Sequence, residues 1–338
     1  MIVVLKSDAT EKQIQHLLDK VTQLGFTPHI SRGVEKTIIG LIGPEEVLNI
    51  TPLDIFPGVE KVIPVLAPYR LVSREFRKEN TVVSVNDKLV FGSKKVPVIA
   101  GPCSIENKDM LLSIAKKVKE YGATALRGGA FKPRTSPYDF QGLGEEGLKY
   151  LQEVGRETGL ATATEVMDPR DVEIVARYAD ILQIGARNMQ NFSLLKEVGK
   201  TNKTVMLKRG ISATIKEWLM SAEYILANGN FNVILCERGI RTFETETRNT
   251  LDINAVAVVK QKSHLPVIVD PSHATGKWGL VMAVSKAAVA VGADGLMIEV
   301  HDNPEEALSD GSQSLIPDNF KLLMEDLRLV ASAVDREI

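Results

Sequence analysis

VPVIAGPCSIENKDMLLSIAKKVKEYGATALRGGA (residues 96–130) contains two apolar runs with an amphipathic segment between them. VPVIAGPC (96–103) and ALRGGA (125–130) lack the alternation of a strand wetted on one face, so each is expected to be a strand buried on both sides. Between them Leu111, Ile114, Ala115 and Val118 recur at helical spacing. The unit repeats. Six further runs follow: ATATEV (161–166), ILQIGA (181–186), TVMLKRG (204–210), VILCERG (233–239), PVIVDPSH (266–273) and GLMIEV (295–300). Phe192, Leu195 and Val198 mark the stripe of a later helix. Eight strands alternating with helices predict an α/β fold, a closed TIM (β/α)8 barrel over residues 96–338. An open doubly wound sheet is the alternative, but no GxGxxG follows any of the strands.

Residues 1–66 read as a separate unit. IVVLK (2–6) is a strand, and the next segment places Ile14, Leu17, Leu18 and Val21 on one helical face that Gly25 ends. HISRG and KTIIGLIG form a strand pair, PEEVLNI (44–50) a short helix and VEKVIPVL a last strand. The order βαββαβ predicts a ferredoxin-like α+β sandwich. Its histidines, His16 and His29, are isolated and are expected to be structural. Residues 67–95 make a polar linker and a hairpin. In the hairpin, TVVSV and KLVFG flank a two-residue Asn86-Asp87 turn and would plug the bottom of the barrel.

The 338 residues accommodate both units, and 25% charged and 44% apolar residues are ordinary for a globular protein. With 41 basic and 43 acidic residues the net charge is −2, which argues against nucleic acid or a membrane surface as partner. The two cysteines, Cys103 and Cys236, make no disulfide framework, and the start MIVVLKSDAT lacks a signal-peptide pattern. Both point to the cytoplasm. Cys236 is expected to pack in the core.

In a barrel of this kind, function gathers where the strands end. Cys103, Arg127, Glu165, Arg187, Lys208, Arg238, His273 and Glu299 end the eight runs or lie beside those ends. Converging charges are costly unless something pairs them, so the rim calls for a ligand. Cys103, His273 and Glu299, with Asp310 in the loop after the last strand, are the ligand types of a borderline divalent metal: manganese, iron, zinc or cobalt. Taken singly, Cys103 and His273 are more often core residues, Glu299 a solvated strand end and Asp310 a turn residue. Arg127, Lys132, Arg134, Arg187, Lys208 and Arg238 form a cationic group suited to a substrate with several negative charges, such as two phosphates and a carboxylate. Gly128, Gly129, Gly185 and Gly210 beside them would let a ligand approach the backbone.

At these residues the chain resembles 3-deoxy-D-arabino-heptulosonate 7-phosphate (DAHP) synthase, class I, in the branch with an N-terminal ferredoxin-like domain. The resemblance runs through residues 96–313 in GPCSIEN (101–107), LRGGAFKPRTSPYDFQGLG (126–144), IGARNMQN (184–191), LKRG (207–210), ERGIRTFE (237–244), DPSHATG (270–276), IEVH (298–301) and SDGSQ (309–313). It implies a transferase of aromatic amino acid biosynthesis, taking phosphoenolpyruvate and D-erythrose 4-phosphate in the first step of the shikimate (chorismate) pathway. It also implies Cys103, His273, Glu299 and Asp310 as ligands of one metal. Arg127, Lys132 and Lys208 would hold the phosphoenolpyruvate carboxylate, and Arg187 and Arg238, with backbone near Ala186, its phosphate. Lys132, Pro133, Arg134, Thr135 and Ser136 would line the aldose phosphate site. The N-terminal unit would be a regulatory domain binding tyrosine or phenylalanine, the alternative being a domain that merely stabilises the barrel or its oligomer, and the assembly a homotetramer.

A related synthase, of 3-deoxy-D-manno-octulosonate 8-phosphate, takes arabinose 5-phosphate. Its members carry Asn-Arg-Ser where this chain has Pro133, Arg134 and Thr135, which favours the four-carbon aldose. The resemblance implies Lewis-acid activation of the aldehyde. Lys132 is expected to be the general acid at the forming alkoxide, with its pKa lowered by surrounding cations, and metal-bound water is the alternative. Glu165 is read as orienting water or Lys132, or as part of a structural ion pair. Two other readings are a Schiff-base aldolase using Lys208 and a non-catalytic amino-acid-sensing barrel, which leave the ligand set or its completeness unexplained.

Overall fold

The computed structural model describes residues 1–33, 36–43, 52–63, 68–86, 89–133, 136 and 138–338. They form two compact units, Met1–Pro68 and Tyr69–Ile338.

In the first unit, strands β1 (Ile2–Leu5), β2 (Thr27–Arg32), β3 (Thr37–Ile42) and β4 (Val59–Ile63) pair in the order β2-β3-β1-β4, every pairing antiparallel. That is the strand order of a ferredoxin-like sheet. Helix α1 (Glu11–Gln23) starts at a capping box, in which Thr10 accepts from Gln13 N and Gln13 caps Thr10 in return. Its stripe of Ile14, Leu17 and Val21 is buried with Val3, Leu5, Ile39 and Leu41 of the sheet, while Leu18 is half-buried. Gly25, at φ +86°, turns the chain out of the helix. The short helix expected over 44–50 lies outside the described residues.

In the second unit, β5 (Val83–Ser84) pairs with β6 (Val90–Phe91) as a hairpin. Val85 N donates to Leu89 O, and the turn expected at Asn86-Asp87 lies partly outside the described residues. Asn86 Oδ1 accepts from Leu89 N across that span. Eight parallel strands then close a barrel, β7 (Val98–Gly101), β8 (Ala125–Arg127), β9 (Ala161–Glu165), β10 (Ile181–Ile184), β11 (Thr204–Lys208), β12 (Val233–Glu237), β13 (Val267–Val269) and β14 (Leu296–Glu299). They alternate with α2 (Lys108–Glu120), α3 (Glu145–Thr158), α4 (Val172–Tyr178), α5 (Phe192–Gly199), α6 (Ile215–Ala227), α7 (Ile253–Lys262), α8 (Pro271–Thr275) and α9 (Trp278–Ala290), and α10 (Pro317–Ala333) follows the last strand. Among the described residues no helix is long and apolar enough to cross a membrane.

Strand side chains alternate between two apolar clusters. Val98, Leu126, Leu182, Val205, Leu235 and Val267 face the helices. Ile99, Ala125, Ala163, Ile181, Met206, Ile234, Ile268 and Met297 fill the barrel, joined by Val83, Leu89 and Phe91 of the hairpin. The hairpin therefore plugs the barrel, and Cys236 belongs to the same interior. This parity positions the site. One inward step beyond the apolar layer, at the carboxyl ends of the strands, come Arg127, Glu165, Gln183, Lys208, Arg238, Asp270 and Glu299.

The stretch read as a polar linker is strapped to the barrel from Tyr69 onward. Leu71 N and Val72 N donate to the Glu223 carboxylate of α6, at 2.8 and 3.0 Å. His264 locks the strap from beneath, with Nε2 2.7 Å from Leu71 O and Nδ1 2.7 Å from the Thr81 hydroxyl. A carbonyl only accepts, so Nε2 carries the proton and Nδ1 accepts from Thr81. Burial, helped by Arg77 and Arg74 and opposed by the Leu71 bond, lowers the His264 pKa below 6.5. The folded state thus resists a proton that the unfolded chain takes up. Stability from this site is complete above pH 6.5 and is lost as pH falls through the folded value. His264→Gln is expected to flatten the loss of urea stability between pH 6.5 and 5 relative to the parent, and equal slopes for the two proteins would refute this lock.

Candidate active site

The carboxyl ends of the strands open into a cleft of about 900 Å³, counting space continuous with solvent. Among the described residues six cationic side chains line it, Arg127, Lys132, Arg187, Lys208, Arg238 and Arg248, with His273, Glu165, Gln183, Asp139 and Asp310 between them. Pro133 and Ala186 also line it. Ser136 does not: its Oγ accepts from Tyr138 N in a local turn. Arg134 and Thr135 lie outside the described residues.

On one side of the cleft Cys103, His273, Glu299 and Asp310 converge, each offering a donor atom within 4.8 Å of the others. Cys103 Sγ donates to Asp310 Oδ2 at 3.2 Å. His273 Nε2 lies 3.4 Å from Glu299 Oε1 and 3.9 Å from Asp310 Oδ2. His273 Nδ1 stands 2.8 Å from Asp270 Oδ2, close but out of line for a good hydrogen bond. A carboxylate beside Nδ1 favours the proton there and turns the Nε2 lone pair towards the cluster, the usual posture of a metal-bound imidazole. Burial, outweighing Asp270 and Glu299, lowers the His273 pKa to about 4, so the ring is neutral at pH 7. Burial and then Glu299 push the Cys103 thiol up to about 12, with Lys132 opposing. A thiol held protonated among carboxylates is what a divalent cation would reverse, since a coordinating thiol loses its proton.

Asp310 reaches the cluster from a residue with φ +53°, a left-handed conformation rare outside glycine. Arg248 Nη1 holds its second oxygen at 3.2 Å and Gln313 Oε1 at 2.8 Å. Gln313 Nε2 in turn donates to Glu299 Oε2 at 2.6 Å. Burial raises the Asp310 pKa, but His273 and Arg248 oppose it and the net shift is downward, so this donor is anionic.

Two buried ion pairs join this cluster to the cationic half, Arg127 Nη1 to Glu299 Oε1 at 2.7 Å and Lys208 Nζ to Asp270 Oδ2 at 2.6 Å. Lys132 Nζ donates to Cys103 Sγ at 2.9 Å and to Cys103 O at 3.2 Å. Burial opposes the Lys132 charge, but Cys103, Glu165 and Glu299 outweigh it and its pKa is raised. This corrects the expectation of a lowered pKa, which counted the cations nearby and not the acids that touch them. Glu165 forms no ion pair among the described residues; its Oε2 accepts from Gln183 Nε2 at 3.2 Å, against the ion-pair reading. Two of the glycines stand hard against side chains of the site. A Cβ on Gly185 would lie 2.0 Å from Glu165 Oε1, and one on Gly129 2.6 Å from Lys132 Cδ. Both make room for side chains of the site itself.

Arg187 and Arg238 have no carboxylate partner among the described residues. Arg187 is exposed, whereas Arg238 is only 5% exposed and donates weakly to Gly239 O (3.4 Å) and His273 O (3.3 Å). Burial and then the neighbouring Arg248 charge lower its pKa against the pull of Asp270. A buried guanidinium so poorly served is a seat for an anion. Sequence reasoning missed Asp270, Gln183, Arg248, Gln313 and Asp139. The first two follow from the period-2 step beyond Ile268 and Ile181, while Arg248 and Asp139 lie on loops and Gln313 in a single short turn, with no periodic signal.

The pattern of the DAHP synthetase I family matches residues 80–333, and that of the DAHP synthase ferredoxin-like domain residues 1–67. A phospho-2-dehydro-3-deoxyheptonate aldolase of Thermotoga maritima is 51% identical over 334 residues, 99% of this chain and 98% of its own. The crystal structure of phospho-2-dehydro-3-deoxyheptonate aldolase (DAHP synthase) from Thermotoga maritima superposes with a TM-score of 0.93 at 49% identity over 99% of this chain and 98% of that one. A truncated form of 3-deoxy-D-arabino-heptulosonate 7-phosphate synthase from the same organism matches 79% of this chain and 98% of its own length, with a TM-score of 0.74 and 50% identity. A 2-dehydro-3-deoxyphosphooctonate aldolase of Syntrophotalea carbinolica is 33% identical over 270 residues, 75% of this chain and 96% of its own.

The donor cluster yields a test independent of turnover. Cobalt(II) is expected to bind with a near-ultraviolet thiolate charge-transfer band that Cys103→Ala abolishes. Asp270→Asn should weaken binding about 10–100-fold by freeing the His273 ring. Undiminished affinity in Asp270→Asn would remove Asp270 from this role.

Proposed function

The chain belongs to the DAHP synthetase I family and is an enzyme of it, and we propose that it condenses phosphoenolpyruvate with D-erythrose 4-phosphate and water, releasing inorganic phosphate. The observation that carries this reading is the juxtaposition of the four-donor cluster with a cleft lined by six cations. The two substrates bring a carboxylate and two phosphates, and Arg187 and Arg238 await such anions.

Cys103, His273, Glu299 and Asp310 would hold the divalent cation, which when bound supplies Lewis acidity at the aldehyde oxygen. Arg127, Lys132 and Lys208 orient the phosphoenolpyruvate carboxylate, and Arg187 and Arg238 its phosphate. The aldose phosphate belongs beside Lys132 and Pro133, with Arg134, Thr135 and Ser136 next in the sequence. C3 of the enol forms the new carbon–carbon bond to the aldehyde carbon. The aldehyde oxygen becomes a hydroxyl, taking a proton that Lys132 Nζ, beside Cys103, is placed to give. Because the Lys132 pKa is raised, this transfer rests on proximity more than on acidity. Water adds at C2, and phosphate leaves by C–O cleavage. Glu165, in the cleft with no ion-pair partner among the described residues, is suited to orient that water. Much of the rate would come from holding two polyanions in register.

The unit at residues 1–66, with a core of its own, is read as the regulatory domain, tyrosine or phenylalanine as its effector and a homotetramer as the assembly. Support for regulation comes from its match to a domain of this family and its lack of catalytic residues. The reaction is placed in the cytoplasm, in keeping with the free thiols of Cys103 and Cys236.

In a phosphate-release assay, erythrose 4-phosphate is expected to be used at least tenfold more efficiently than arabinose 5-phosphate, and chelator-treated protein to be inactive until a divalent metal is restored. Preference for the pentose would transfer the chain to the octulosonate reaction, and full activity without metal would remove the Lewis acid. Deleting residues 1–66 should leave condensation intact and abolish inhibition by tyrosine or phenylalanine. A deleted protein that remains inhibited would place the effector site elsewhere.

A further inference from the structure

Arg209 follows the cleft residue Lys208 and, by strand parity, sits on the opposite side of the barrel wall. It is 4% exposed, and its guanidinium binds three chain segments. Nη1 donates to Glu237 Oε2 at 2.9 Å and to Asp252 Oδ2 at 2.8 Å, and Nε donates to Ala213 O at 2.9 Å. The group lies 6.0 Å from the ring centre of Trp218, whose Nε1 donates to Leu207 O. Each partner is tied to the cleft. Glu237 precedes Arg238, and its second oxygen accepts from Gly239 N at 2.8 Å. Asp252 caps α7 and ends the loop that carries Arg248. Ala213 ends the loop leaving Lys208, and Arg241 N donates to Ile211 O at 2.7 Å, joining the two loops.

A fully buried carboxylate paired with a buried guanidinium is weak as a device for stability, because desolvating both ions consumes what their attraction returns. Its value lies in directional bonds that fix backbone. We propose that Arg209, with Glu237, is a positioning residue for the anion seat of the cleft: the pair fixes the backbone on both sides of Arg238 and after Lys208, so that both cationic heads meet the phosphoenolpyruvate anions in register. It touches no substrate and lies apart from the four metal donors. The inference rests on the proposed reaction for its substrate, so the anion seat is also probed directly with inorganic phosphate.

The test compares the full-length, metal-loaded parent with Glu237→Gln, Arg209→Lys and the apolar pair Arg209→Met/Glu237→Met. The double variant removes both charges together and avoids stranding one of them. Expected in each is a roughly tenfold rise in KM for phosphoenolpyruvate with kcat within about twofold, since bonds that hold substrate and transition state alike act on KM. Inorganic phosphate affinity, read by calorimetry, should fall in parallel, with metal content unchanged. A merely structural role would lower the thermal midpoint or the active fraction, and so kcat, and leave KM and phosphate affinity at parental values. That pattern in any folded variant overturns the proposal. If the parent itself releases no phosphate from phosphoenolpyruvate with the aldose, the proposed reaction fails. Inorganic phosphate affinity then decides the clamp alone: a parallel fall supports it, and parental affinity overturns it.

Discussion

A closed barrel gives every second strand residue no choice but to point inward, and at its carboxyl end that constraint forces charges together. Arg127 and Glu299 are the central case, 2.7 Å apart and at most 5% exposed. Neither could ionise there alone, because an isolated buried charge is far too costly. The rest of the mouth is arranged around such contacts. Glu299 is also held by Gln313, Lys208 answers Asp270, and Asp270 sits beside the His273 ring. The four-donor half and the cationic half of the cleft are therefore one network. A cation drawing on Glu299 would loosen its hold on Arg127 and leave that guanidinium freer for a carboxylate arriving in the cleft.

The apolar layer beneath makes this possible. Below the charged ring the barrel is filled by small and medium side chains, and the hairpin residues Val83, Leu89 and Phe91 seal its other end. This apolar fill leaves the charges above facing solvent on the cleft side. Their mutual contacts are correspondingly strong, and Arg238 feels the lack of a carboxylate partner among the described residues.

Much of this was legible in the sequence because barrel strands are apolar until they reach the mouth. Arg127, Glu165, Lys208 and Glu299 each interrupt a run of buried residues, and that interruption is itself the signal. Asp270 was harder to read, because a residue before Pro271 passes for a helix cap, which it also is. Arg248 and Asp139 reach the cleft from loops, and Gln313 reaches Glu299 from a single short turn, where no period constrains direction. Lys132 was misread in sign for a related reason. Charge type can be counted from sequence, but which acids touch an ammonium depends on the closed ring. At PEEVLNI and at Arg134 and Thr135 the comparison stops, since they lie outside the described residues.

The left-handed backbone of Asp310 has a consequence for how this position can change. Asparagine tolerates that conformation nearly as well as aspartate, and glycine better, whereas β-branched or bulky residues would strain it by about 1–3 kcal/mol. The short list of tolerated residues thus separates into one neutral isostere and one empty position. A drift to either would keep the loop and silence a donor, so the ligand count of the cluster could fall from four to three in a single step without disturbing the fold that presents it.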